Sequence, residues 1–146
     1  MRFWDSSAVV PLLVEEETSE VLRRHYGEED ALLVWWATEV ECASALARLE
    51  RDGLLSPRET SEALQRLDDL ADAWSLVEPT PPVLQVAKRL LRTHDLRAAD
   101  SLQLGAALLA AEGQPAGLSF VCLDDRLCLA AEREGLAVVA RDRLGG

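Results

Sequence analysis

Five short strand-like runs punctuate this chain of 146 residues, and helical patterns separate them. The runs are 2–4, 32–35, 74–77, 119–123 and 137–139. Between them fall helical patterns at 7–14, 17–26, 38–51, from Ser56, from Thr80, at 99–111 and at 126–134. Strands alternating with helices predict a mostly parallel sheet of about five strands. Parallel neighbours need crossover connections, and each sheet face needs an apolar cover. Those crossovers should be right-handed. Paired helices after the second strand make the order less regular than a Rossmann unit, and neither GxGxxG nor GxxxxGK[ST] occurs. A glycine loop around nucleotide phosphates is therefore not expected.

Local signals support these elements. Ser56-Pro57-Arg58-Glu59 combines a capping serine, a proline at the first helical position and a glutamate three residues after the serine. Leu64, Leu67, Leu70 and Ala71 continue that helix inward, and Val83, Val86, Ala87, Leu90 and Leu91 mark the buried side of the next. Val40, Ala43, Leu46 and Ala47 give the helix from Thr38 its apolar face. Gly27, Gly53 and Gly135 are expected to close three helices.

Four acidic residues stand where strands end or helices begin: Asp5, Glu41, Asp100 and Asp124. Each has an ordinary structural explanation. Asp5 and Asp124 suit helix caps, Thr38 and Glu41 form a T-x-x-E capping box, and Asp100 suits a helix dipole. Their combination points further. In open α/β sheets ligands bind outside the carboxyl ends of the strands, and that edge would gather Asp5 and Asp124. Buried carboxylates need a partner or a metal, and the sole lysine, Lys88, lies near none of them in sequence. A converging set of carboxylates calls for a hard cation, Mg²⁺ or Mn²⁺.

Composition removes several classes. The formal charge of −11 argues against a nonspecific nucleic-acid clamp, although catalysis at a phosphate needs only a local positive centre. Cys42, Cys122 and Cys128 show no metal or disulfide spacing. His25 and His94 read as solvated side chains, and no Ser-His-Asp or Cys-His system is visible. The longest apolar stretch is too short for a membrane span and no secretory leader is read, so a cytoplasmic protein of one domain, residues 1–146, is expected.

The segments Asp5-Ser6-Ser7, VE(x)₂SALARLER around Glu41, LRAADSLQLGAAL around Asp100 and DxRL(x)₂AA(x)₃G from Asp124 together resemble the PIN-domain family, closest to its VapC-like toxins. The resemblance spans nearly the whole chain. It implies an α/β/α sandwich and an Mg²⁺- or Mn²⁺-dependent ribonuclease, the toxin of a toxin–antitoxin pair, restrained by a small antitoxin and forming a homodimer. The family's acids fall on Asp5, Glu41, Asp100 and Asp124, and its small hydroxyl residue on Ser6 or Ser7. Two departures are Cys122, where threonine is frequent, and Gln103, where histidine is frequent; Asp125 competes with Asp124.

The expected chemistry is metal-assisted hydrolysis of an RNA phosphodiester. Asp5, Asp100 and Asp124 would bind the cation, Glu41 would complete the cluster or orient water, and a 5′-phosphate would result. Ser6, Ser7, Arg97 and Arg126 are candidate substrate-binding residues, the two arginines as RNA contacts. Of Trp35 and Trp36, at least one is expected to pack inside instead of stacking on a base. Rival readings are a noncatalytic PIN-like scaffold and an RNA-processing nuclease without an antitoxin. Dehalogenase-type phosphatases and receiver domains fit poorly, because Ser7 stands where the first would need a second aspartate, and Lys88, the sole lysine, is badly placed for the late lysine of the second.

Overall fold

The computed structural model describes residues 1–29, 31–112 and 115–139. Its elements run β1 (Arg2–Trp4), α1 (Ser6–Leu13), α2 (Ser19–Glu28), β2 (Leu33–Trp35), α3 (Thr38–Arg51), α4 (Pro57–Ala73) and β3 (Ser75–Val77). They continue with α5 (Pro81–Thr93), α6 (Ala98–Ala110), a 3-10 turn (Pro115–Gly117), β4 (Ser119–Val121), α7 (Asp125–Arg133) and β5 (Ala137–Val139). The strands form one sheet in the order β3-β2-β1-β4-β5, and every described pairing is parallel.

Alternation along three-residue strands divides the core in two. Phe3, Trp35, Phe120 and Val138 face α5, α6 and α7, meeting Val83, Leu90, Leu104 and Leu127. Trp4, Val34 and Val121 face the opposite way, onto Ala8, Val9, Leu13, Leu22, Leu46 and Leu67 of α1 to α4. The result is the expected α/β/α sandwich. Phe3 and Phe120 stack across the β1–β4 pair with ring centroids 5.7 Å apart.

The strand order has a functional consequence. From β1 the chain moves outward through β2 to β3, then returns to lay β4 on the other side of β1. Such a reversal leaves a crevice at the carboxyl ends of the two central strands. Trp4 pairs with Val121 there, so Asp5 and the loop leading to Asp124 leave the sheet side by side. Asp5 N donates to Val121 O at 3.0 Å, which closes the pairing just before the chain turns into α1.

Several local expectations change. Gly27 does not end α2, which runs on through it to Glu28. Val40 does not belong to the buried face of α3; it is 72% exposed, and Thr38, Cys42 and Leu46 are the buried positions. Thr38 caps nothing, because Ala37 is the N-cap and Thr38 lies inside the first turn. β4 stops at Val121, so Asp124 is the N-cap of α7 and not the end of the strand. His94 is not solvated. Its side chain is 6% exposed, with Nε2 2.7 Å from Glu134 Oε2, and His25 is partly buried beside Glu28. The Ser56–Glu59 box forms in both directions, at 3.1 and 2.9 Å. Gly53 and Gly135 follow α3 and α7 with φ of +76° and +93°, a conformation glycine adopts freely.

Candidate active site

A cleft of about 780 Å³ opens over the β1–β4 crevice. Asp5, Glu41, Asp100 and Asp124, which are far apart in sequence, all line it. So do Ser6, Ser7, Arg97 and Arg126. Asp125 is not among its lining residues, which favours Asp124 in the register of DDRL.

Asp5 sits deepest, 3% exposed. It is the N-cap of α1, and its Oδ2 accepts from Ser7 N at 3.1 Å and from the Ser7 hydroxyl. The Cys122 thiol approaches the same oxygen at 3.6 Å. Ser7 Oγ also accepts from Leu123 N at 3.0 Å, so one hydroxyl ties the β4–α7 loop to the β1–α1 junction. Burial raises the proton affinity of Asp5 above the usual carboxylate range; the two Ser7 bonds oppose that rise and the Asp100 charge adds to it.

Glu41 projects from the first turn of α3. Its pKa is pushed up to about 7, chiefly by burial and then by repulsion from Asp5 and Asp100. Bonds from Gln103 and the Ser6 hydroxyl favour its charged form. Asp100, in the first turn of α6, is also raised by partial burial and by the Asp124 charge, against the opposing effect of Arg97 and Arg126. Its Oδ2 accepts from Arg97 N at 3.4 Å. Asp124 caps α7, accepting from Leu127 N at 3.0 Å. Capping and membership of the cleft thus coincide for Asp5 and Asp124.

Three acids whose protonation is favoured by burial and mutual repulsion make a site where positive charge is welcome. The donors are carboxylate oxygens, the set that suits Mg²⁺ or Mn²⁺ over softer ions. Among the described residues no three His, Cys, Asp or Glu side chains stand close enough to enclose an ion. The acids line the cleft without forming a closed cage.

Sequence reasoning missed part of the rim. Val40, Ser44 and Arg48 line the cleft beside Glu41, and Asp95 lies 3.5 Å from Arg126. The signal was available, because 41, 44/45 and 48 fall on one face of a helix of 3.6 residues per turn. Gln103, noticed only as a departure from the family pattern, is buried against Glu41 and Thr38. Of the two tryptophans, Trp35 packs in the core, whereas Trp36 is 53% exposed and lies outside the cleft lining.

A family model described as PIN domain matches residues 2–143. Two curated proteins of Mycobacterium tuberculosis, Ribonuclease VapC45 (strain CDC 1551 / Oshkosh) and Ribonuclease VapC49 (strain ATCC 25618 / H37Rv), are each 35% identical to the chain over 136 residues. The match covers 93% of this chain and 92% of each relative. Among solved structures, FitAcB from Neisseria gonorrhoeae superimposes with a TM-score of 0.65 at 16% identity, covering 94% of this chain and 96% of that one. PAE2754 from Pyrobaculum aerophilum gives 0.60 at 19% identity, covering 99% and 94%. At such identities the structural likeness speaks for the fold alone.

Proposed function

Because the chain belongs to the PIN domain family, we propose that it is a divalent-cation-dependent endoribonuclease, the toxin of a toxin–antitoxin pair. The observation that carries this reading is the convergence of Asp5, Glu41, Asp100 and Asp124 on one cleft at the sheet's switch point. The curated relatives, both named as ribonucleases, support the choice of RNA as substrate.

Asp5, Asp100 and Asp124 hold the cation, directly or through water, and Mg²⁺ or Mn²⁺ is the ion their chemistry suits. The cation, when bound, supplies Lewis-acid stabilisation of the phosphoryl oxygens and lowers the pKa of water. Glu41 orients the attacking water from the wall of the cleft. Arg97 and Arg126, joined by Arg48 on α3, offer guanidinium groups to the phosphates flanking the scissile bond. Ser6 bonds Glu41, and Ser7 is committed to Asp5 and Leu123, so their hydroxyls build the site more than they read the substrate.

The protein works as a single domain, restrained by a small antitoxin. The exposed side chains of Leu54, after α3, and Leu64, on α4, support a homodimer. Among the described residues no helix is long and apolar enough to cross a membrane, in keeping with a cytoplasmic site of action.

The test is cleavage of total RNA in Mn²⁺ with the ends of the fragments mapped. Wild type should leave 5′-phosphates. Asp5→Asn should lower the rate by at least about 10–100-fold while keeping the wild-type circular dichroism spectrum, since losing even a partner behind a metal ligand costs that much. Undiminished cleavage by Asp5→Asn would remove Asp5 from the machinery.

A further inference from the structure

Gln103 lies on α6 one turn beyond Asp100 and is 1% exposed. Its amide Nε2 donates to Thr38 Oγ1 at 3.0 Å and to Glu41 Oε1 at 2.5 Å. Both acceptors belong to the first turn of α3, so one amide group bridges two helices at the cleft wall. Its own Oε1 is buried without a hydrogen-bond partner. A buried carbonyl oxygen left unpaired is destabilising and calls for an explanation.

Turning the amide over would give that oxygen the Thr38 hydroxyl as a donor. It would also set the oxygen against the Glu41 carboxylate, acceptor against acceptor. The orientation of the amide is therefore decided by Glu41. Packing alone gives no reason for a glutamine here, since methionine or leucine fills a similar volume with no orphaned oxygen. Glu41, for its part, has three side-chain torsions and two repelling neighbours, Asp5 and Asp100. Without a donor on the wall its carboxylate would turn toward solvent.

We propose that Gln103 is a positioning residue: its amide, anchored on Thr38, holds the Glu41 carboxylate in the cleft at the place where the attacking water is oriented. The effect on turnover rests on the nuclease reading; the bridge between the two side chains does not.

The experiment pairs Gln103→Leu with Glu41→Ala and the double variant. It reads kcat and KM on RNA with Mn²⁺, the Mn²⁺ dissociation constant by calorimetry, and hydrogen exchange of the Gln103 side-chain amide by NMR. Gln103→Leu should lose about 10–100-fold in kcat, the usual effect of removing a group that orients a site residue. KM and the Mn²⁺ dissociation constant should stay within about twofold, because no cation-holding aspartate loses a bond. Added to Glu41→Ala, the same change should cost nothing further, since the group it acts through is gone. The Gln103 amide proton directed at Glu41 should be protected in wild type and lose protection in Glu41→Ala, while the one bonded to Thr38 keeps its partner. Gln103→Met repeats the test with a side chain of nearly equal length should the leucine variant fold poorly. An unchanged kcat, or an equal loss with and without Glu41, overturns the proposal. If wild type cuts no RNA, the nuclease reading falls by itself. Amide exchange then decides the bridge, and unchanged protection of both Gln103 amide protons in Glu41→Ala overturns it.

Discussion

One hydroxyl shows how closely structure and chemistry are joined at the scale of the residue. Ser7 donates to Asp5 Oδ2 and accepts from Leu123 N, so it lowers the cost of burying a carboxylate while fixing the loop that carries Asp124. Removing it leaves a buried acceptor and a buried N–H each short of a partner. Ser7→Ala should therefore cost about 1–3 kcal/mol in urea unfolding. Ser6→Ala, whose hydroxyl supports the less buried Glu41, should cost less. Equal effects would mean that the bridge between the two loops contributes nothing. Glu41 is the residue with the clearest pH signature. With its pKa near 7, it carries a proton in a growing fraction of molecules as the solution is acidified through neutrality. A bound cation favours the charged form that orients water, so kcat at saturating Mn²⁺ should begin to fall only below a midpoint lower than that of the cation-free site, steepening toward about tenfold per pH unit, and Glu41→Gln should flatten that limb of the profile.

At the scale of the element, the helices are secured at their ends. The α4 capping box satisfies two otherwise unpaired groups, and Ser56→Ala should cost about 0.5–2 kcal/mol in thermal unfolding without touching cleavage. Farther on, Glu134, at the C-cap of α7, takes Arg89 at 2.8 Å and His94 at 2.7 Å, clipping the end of α5 to α7. The existence of every described strand and α-helix, though not of the 3-10 turn at Pro115–Gly117, was legible from period and caps, because a buried strand and a helix that must bury one face leave different traces in sequence. The ends were less legible. Gly27 looked like a stop, but glycine costs a helix only about 1 kcal/mol and the helix runs one residue past it. Val40 looked like core because its neighbours on α3 are, yet the helix is rotated to put Cys42 and Leu46 inward, leaving Val40 at the cleft mouth. His94 gave no sign of burial, since its partner lies 40 positions away. The four acids were legible for a different reason. A parallel sheet brings its strand ends to one edge, which makes neighbours of Asp5 and the loop carrying Asp124. Glu41 and Asp100, in the first turns of α3 and α6, were joined to them by the family resemblance and by helix starts instead of strand ends. Arg48 and Gln103 depend on how α3 and α6 are rotated, and that is set by packing partners no local pattern names.

At the scale of the whole molecule, the formal charge of −11 and the acidic cleft make stability, pH and cation binding one problem. Asp5, Glu41 and Asp100 all hold protons more tightly folded than unfolded. The folded state therefore binds more protons across the window between ordinary carboxylate values and about pH 7. Its stability should rise as pH falls from 8 toward 5 and be lost as pH climbs through the folded values. For Glu41, a rise from 4.5 to about 7 corresponds to about 1–3 kcal/mol once its partial exposure to solvent is discounted. Glu134 works with the opposite sign. Its proton affinity is lowered, first by Arg89, so the stability it contributes is lost as pH falls through its folded value, and the acid limb turns down again. A divalent cation does at high pH what protons do at low pH: it offsets the repulsion among the cleft acids. Mn²⁺ at about 100 times its dissociation constant should add about 2.7 kcal/mol at pH 8, a rise of roughly 5–11 °C in Tm for a chain of this size. As pH falls toward 5, protons compete with the cation for the raised acids, Glu41 first, and that increment should shrink. Thermal scans with and without Mn²⁺ at pH 5 and pH 8 measure the difference directly. An equal increment at both values would mean that the ion binds somewhere other than these carboxylates.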